Sequence, residues 1–124
     1  MKHFEEIIKL HIKSITERNL TTYLQFLHPS HNCIVILPNG RMIEGYDDIL
    51  NLHKEWFEDL DWSMDVQIVD LFSDENTGYA LLDVIYHDIG QDRTPYELRY
   101  FLSLLFKIID DKWTLLRDQN TIKS

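Results

Sequence analysis

An α+β domain, with three N-terminal helices packed on an antiparallel sheet, is predicted by three features of this 124-residue chain. Apolar residues recur at helical period through the first half. From Trp62 onward the period changes to two, and the segments of period two follow one another across short turn-like links. Consecutive strands on short links pair antiparallel, and helices first with strands afterwards is an α+β order, not an alternating one.

Taken in order, Phe4, Ile8, His11 and Ile15 form one stripe of a first helix. Leu20, Leu24 and Leu27 continue in a short second helix that Pro29 ends. A hairpin follows, Cys33 to Leu37 and Met42 to Glu44, with Asn39-Gly40 supplying positive φ at the turn. Gly45 leads into a third helix whose first turn holds Asp47 and Asp48, where the helix dipole favours anions. Its inner stripe reads Ile49, His53, Trp56, Leu60. Four long strands then span Trp62–Phe72, Gly78–Asp88, Tyr96–Ile109 and Lys112–Asn120.

Composition narrows the class of partner. The length fits one domain, 1–124, and a hydrophobic fraction of 44% supplies one core. A net charge of −9, with the 12 Lys and Arg scattered, argues against nucleic acid or an anionic membrane surface, since phosphate binding needs a basic footprint. No stretch reaches the roughly 20 apolar residues of a membrane span. Met1 to Ile15 lacks the apolar core of a signal peptide, and Cys33 is the sole cysteine, so the expected location is cytoplasmic. Neither paired cysteines, a His-Glu-x-x-His motif nor a Gly-rich phosphate loop occurs, so no metal and no cofactor is expected.

The strand pattern implies a second covered surface. On the strand from Gly78, Ala80, Leu82, Val84 and Tyr86 share one face, and Tyr79, Leu81, Asp83, Ile85 and His87 share the other. On the next, Leu98, Tyr100, Leu102, Leu104, Phe106 and Ile108 lie opposite Arg99, Phe101, Ser103, Leu105 and Lys107. Three helices cover one face, and the other is too apolar to stand in water, which predicts a two-fold homodimer through the sheet.

Candidate chemistry starts with two carboxylates. Asp83 sits between Leu81 and Ile85, an unusual place unless it meets a cavity or a partner. If Asp110-Asp111 is a two-residue turn, Ser103 faces Asp118 and Phe101 faces Asn120, with Arg99 diagonal to Asn120. One face then gathers Ser103, Asp118, Arg99 and Asn120; Asp83 in the same pocket would split the two aspartates into an acid and a base. The competing reading makes Asp118 a structural lock on Arg99 or backbone. His87 follows Asp83 on the same strand face at roughly 13 Å, so the two could line one cavity only at different depths; the competing reading makes His87 an exposed histidine near the strand end. His11 and His53 sit mid-stripe as ligand donors or as satisfied core residues. Trp56 and Trp62 fall where the mouth of a pocket would lie, and Trp113 reads as core.

Two segments carry a family resemblance. Lys112-Trp113-Thr114-Leu115-Leu116-Arg117-Asp118-Gln119-Asn120-Thr121 resembles the closing strand of SnoaL-like proteins, and Gly45-Tyr46-Asp47-Asp48-Ile49, opening the helix with Trp56, is similar to their third-helix entrance. With the element order, the whole chain resembles the nuclear transport factor 2-like superfamily. The resemblance implies a cone of curved sheet closed by helices around a pocket, and frequent dimers; it implies no single reaction. Limonene-epoxide hydrolase-like enzymes would place their aspartates on Asp83 and Asp118, but their arginine falls on Leu81 and their Tyr and Asn on Ile34 and Ile36. Steroid isomerase-like enzymes would place their base on Leu37, their oxyanion acid on Ser103 and their tyrosine near His11. The proton-shuttling aspartate of SnoaL-like polyketide cyclases matches Asp118.

The expectation is therefore a domain that binds a small, largely apolar molecule, with acid/base chemistry of isomerase, cyclase or hydrolase type by Asp118, aided by Asp83. Arg99, Ser103, Asn120, His11, His53, Trp56, Trp62 and His87 are the candidate ligand contacts. The alternative is a non-catalytic dimerisation or protein-interaction module using the apolar sheet face.

Overall fold

The computed structural model describes residues 3–124. Helix α1 (Phe4–Thr16) buries Phe4, Ile8, His11 and Ile15 as the stripe requires, and Arg18 at φ 55° turns the chain out of it. The short α2 (Leu20–Leu24) is capped by Asn19, whose side chain accepts the Thr22 amide at 3.1 Å. It ends before Pro29 is reached, and Tyr23, fully buried, is its inward residue. In α3 (Tyr46–Glu58) the buried stripe is Ile49, His53, Phe57, with Trp56 beside it. Leu60 lies past the helix end and is exposed, because Phe57 already occupies the inward phase four residues after His53.

The hairpin is short: β1 (Ile34–Ile36) and β2 (Met42–Glu44) pair antiparallel. Its connection runs from Leu37 to Arg41, and Gly40 alone takes positive φ, at 87°. Asn39 contributes through its side chain instead, accepting the Arg41 amide at 2.9 Å. Strands β3 (Ser63–Ser73), β4 (Thr77–Ile89), β5 (Pro95–Ile109) and β6 (Lys112–Ile122) follow as an antiparallel meander. The hairpin joins that meander through a parallel β1–β6 pair, so the six-stranded sheet, in order β2-β1-β6-β5-β4-β3, is mixed and not wholly antiparallel. No hydrogen-bonded pairing joins β2 to β3, so the sheet curves without closing into a barrel.

Packing is one-sided. Ala80, Leu82 and Val84 of β4, Tyr100, Leu102, Leu104 and Phe106 of β5, and Trp113 and Leu115 of β6 are buried in one core with Phe4, Ile8 and Ile49 of the helices. At Gly78 the Phe4 ring of α1 lies directly on the strand: a Cβ there would sit 2.4 Å from it. The outer face of β4 and β5 stays half exposed, and Phe72, stacked on Tyr79, stands 63% exposed beside it.

One irregularity decides the site. From Asp110-Asp111, a tight turn with both φ values positive, β6 pairs with β5 as expected as far as Leu115 opposite Phe106. Leu116 is then an extra residue, and pairing resumes with Arg117 opposite Leu105. That bulge advances the register by one, so Asp118 faces Leu104 and Asn120 faces Leu102, on the inner side of the sheet.

Candidate functional site

Between the concave sheet and α3 lies a cavity of about 590 Å³. Its walls are apolar (Ile15, Val35, Leu37, Leu52, Met64, Leu98, Leu102) and aromatic (Trp56, Tyr86, Tyr100), with Asp118, Asn120 and His53 as the polar groups inside. Pro38 and Asn39 of the hairpin turn, Arg41, Glu55 and Asp59 complete the lining. The volume falls in the range of small-molecule pockets, and the pattern of apolar walls with a few polar groups is theirs.

Asp118 is 7% exposed. Its carboxyl takes one hydrogen bond, from the Asn120 amide at 3.1 Å, and the same amide nitrogen also donates to the Ile36 carbonyl at 2.7 Å. The parallel β1–β6 pair thus fixes Asn120, and Asn120 fixes Asp118. Burial disfavours the charged form and lifts the Asp118 pKa to about 7, against the smaller opposing pull of the Asn120 bond. Near neutral pH this carboxyl is therefore both a proton donor and a proton acceptor.

The groups around it stay neutral. His53 donates from Nδ1 to the Ile49 carbonyl at 2.8 Å, which leaves Nε2 as its acceptor nitrogen. Burial drives its pKa down to about 4. Tyr100 and Tyr23 are both raised, first by burial and then by the Asp118 charge, and burial pushes the Cys33 thiol up to about 12. Cys33 is thus no nucleophile at neutral pH. Tyr86 donates to Asp88 at 2.6 Å and accepts from Trp56 Nε1 at 3.4 Å, so the aromatic wall is tied in place. Behind it Trp62, 1% exposed, stacks on Trp56 at 4.3 Å and carries the Arg18 guanidinium 4.1 Å over its ring.

The structure gathers Asp118, Asn120, His53 and Trp56 at the cavity and separates the rest. Asp83, Arg99, Ser103 and His87 lie on the outer side of the sheet by the regular alternation of β4 and β5, whereas the bulge at Leu116 carries Asp118 through to the inner one. Asp83 holds Lys123 at 2.8 Å, Arg99 pairs with Glu97 at 3.0 Å, Ser103 bonds Tyr79 at 3.2 Å and His87 meets Asp65 at 3.0 Å. The two aspartates therefore do not share a pocket, and Arg99 does not lock Asp118. His11 is sealed among Tyr23, Phe26 and Phe106 and does not line the cavity; neither does Trp62. Among the described residues neither His11 ring nitrogen has a hydrogen-bond partner, contrary to the expectation of a satisfied core histidine.

Tyr86 and Tyr100 were legible, since both belong to the inward stripes of β4 and β5, but they do not stand out there from core residues. The contribution of the hairpin turn has no local sequence signal. Among the described residues no group of three His, Cys, Asp or Glu side chains is placed to hold a metal ion.

No protein-family model matches the sequence, and no curated protein matches it. Solved structures do match, over nearly the whole chain. A protein of unknown function from Shewanella oneidensis, described as NTF-2 like, superposes with a TM-score of 0.73 at 17% identity, covering 95% of each chain. A ketosteroid isomerase-like protein from Erwinia carotovora atroseptica gives a TM-score of 0.77 at 10% identity, covering 97% of this chain and 93% of that one. The association domain of CaMKII from C. elegans gives 0.67 at 12% identity, covering 94% and 91%. The chain therefore has the nuclear transport factor 2-like fold. The narrower SnoaL-like likeness rests on the motifs of β6 and α3 alone.

Proposed function

We propose that this chain binds a small, largely apolar molecule in the cavity beneath α3, and that Asp118 exchanges a proton with it. The observation that carries the reading is the Asp118 carboxyl, buried at the edge of an apolar cavity with a single neutral partner and a pKa near the working pH. Proton transfer of the isomerase, cyclase or hydrolase type would use Asp118 as the base and its protonated form as the acid, with Tyr100 as a neutral donor. A ketosteroid isomerase-like protein shares the fold, which is compatible with that chemistry without assigning it.

The test is a titration followed by nuclear magnetic resonance, using a panel of small apolar alcohols, phenols, ketones and amines. Shifts confined to the Asn120 side-chain amide, His53 and Trp56 support the reading; a panel that moves none of them removes it. For turnover, hydrogen–deuterium exchange into a bound ketone should disappear in Asp118→Asn.

A second reading is favoured by the outer face, where Leu81, Ile85, Phe101 and Leu105 stand together, each only partly buried, on β4 and β5. We infer a homodimer through this face, and an association domain with the same fold gives the reading company. Phe101→Glu should turn a dimer into a monomer in sedimentation equilibrium; an unaltered mass, or a wild-type monomer, speaks against it.

A further inference from the structure

Resting on the cavity being a ligand site, we propose that its ligand is an amphipathic amine: an apolar body carrying a protonated amino group that pairs with the Asp118 carboxylate.

The carboxylate lacks a counter-charge. No described Lys, Arg or His nitrogen lies within ion-pair distance of Asp118; its one bond comes from a neutral amide, and Oδ2 takes none. A buried carboxylate in that state is costly, and an ammonium group supplies both the missing charge and the missing donors. Trp56, Tyr86 and Tyr100 line the same cavity, and aromatic rings attract a cation that has left water. His53, neutral and with Nε2 left as an acceptor, can take a further ammonium N–H.

The approach has the same sign. Glu55 and Asp59 outweigh Arg41 among the charged residues lining the cavity, and the chain carries −9 overall, so cations are concentrated there and anions repelled. An anionic ligand would meet the opposite of each of these conditions, and a neutral one would leave the Asp118 carboxylate without a counter-charge. Around Asp118 the other titratable groups are Tyr23, Tyr100, Cys33 and His53, all held neutral near pH 7, and Arg117 projects to the outer face. Asp118 alone therefore sets the pH dependence of binding.

Calorimetry with three probes of one shape decides it: phenethylamine, 2-phenylethanol and 3-phenylpropanoate. At about pH 8 the amine should bind about tenfold more tightly than the alcohol, and the carboxylate most weakly. At about pH 5 the amine should lose about tenfold in affinity, because binding must then expel the proton from Asp118, while the alcohol changes little. Asp118→Asn should bring the amine down to the level of the alcohol; if that variant does not fold, the two-pH series on the wild-type protein decides alone. An alcohol or carboxylate that binds as tightly as the amine at about pH 8 overturns the amine proposal and leaves the cavity reading standing. Binding by none of the three overturns both.

Discussion

Asp118 stands opposite Leu104, and not opposite its neighbour Ser103, because Leu116 bulges out of the strand between them. The offset carries the carboxyl from the outer face of the sheet to the cavity.

The first prediction concerns pH. A carboxyl whose folded pKa is raised from 3.8 to about 7 costs stability when it is ionised, so its penalty is full above about pH 7 and fades as pH falls towards the unfolded value. Three units correspond to roughly 4 kcal/mol at most. Asp118→Asn should therefore be more stable than wild type at about pH 8 in urea unfolding, with the gap closing by about pH 4. A variant that loses stability at about pH 8 would mean that the carboxylate is paired.

The two buried histidines act in the opposite direction. His11 and His53 have pKa values lowered from 6.5 to about 3 and about 4, first by burial, so the unfolded chain binds their protons and the folded one does not. Stability from these sites is present above 6.5 and is lost on acidification through and below that value. In the Asp118→Asn background, where no aspartate contribution opposes them, acid should destabilise the fold more steeply than in wild type. Parallel acid limbs in the two proteins would contradict this.

His11→Phe is expected to stabilise the protein at neutral pH by about 1–3 kcal/mol. The ring is caged by Tyr23, Phe26 and Phe106 at 5.0–5.3 Å, and neither nitrogen has a partner among the described residues, so a phenyl ring of similar shape removes two unsatisfied polar atoms. A loss of stability in equilibrium unfolding would show that those nitrogens have partners.

Gly78→Ala should cost about 1–3 kcal/mol, since the added methyl meets the Phe4 ring, a buried side chain held between Phe106 and Trp113. Thermal unfolding measures it, and Phe4→Leu combined with Gly78→Ala should recover part of the loss.

Much of the fold was open to reading because the helices and strands announce their phase. Phe4, Ile8, His11 and Ile15 lie on one face at one period, and alternate residues of β4 divide cleanly between core and outer face. The site was harder. In β6 the run Trp113-Thr114-Leu115-Leu116 is apolar or small throughout, and Arg117 to Thr121 is polar throughout, so no hydrophobic phase marks where the alternation slips. Asp118, Asn120, His53 and Trp56 were found by type and motif; Arg99 and Ser103 were grouped with Asp118 because that extra residue is unmarked, and Asp83 and His87 lie on the same outer face as those two. The parallel pairing of β1 with β6, which fixes Asn120 and so Asp118, joins segments some eighty residues apart and has no local signal.

The buried, unpaired state of Asp118 is tested by titrating it directly, followed by the carbon-13 shift of its side-chain carboxyl with Asp118→Asn for assignment. A midpoint near 7 is expected, with the Asn120 side-chain amide shifting at the same pH. A midpoint near 3.8, the ordinary aspartate value, would place the carboxylate in water or against a cation and contradict it.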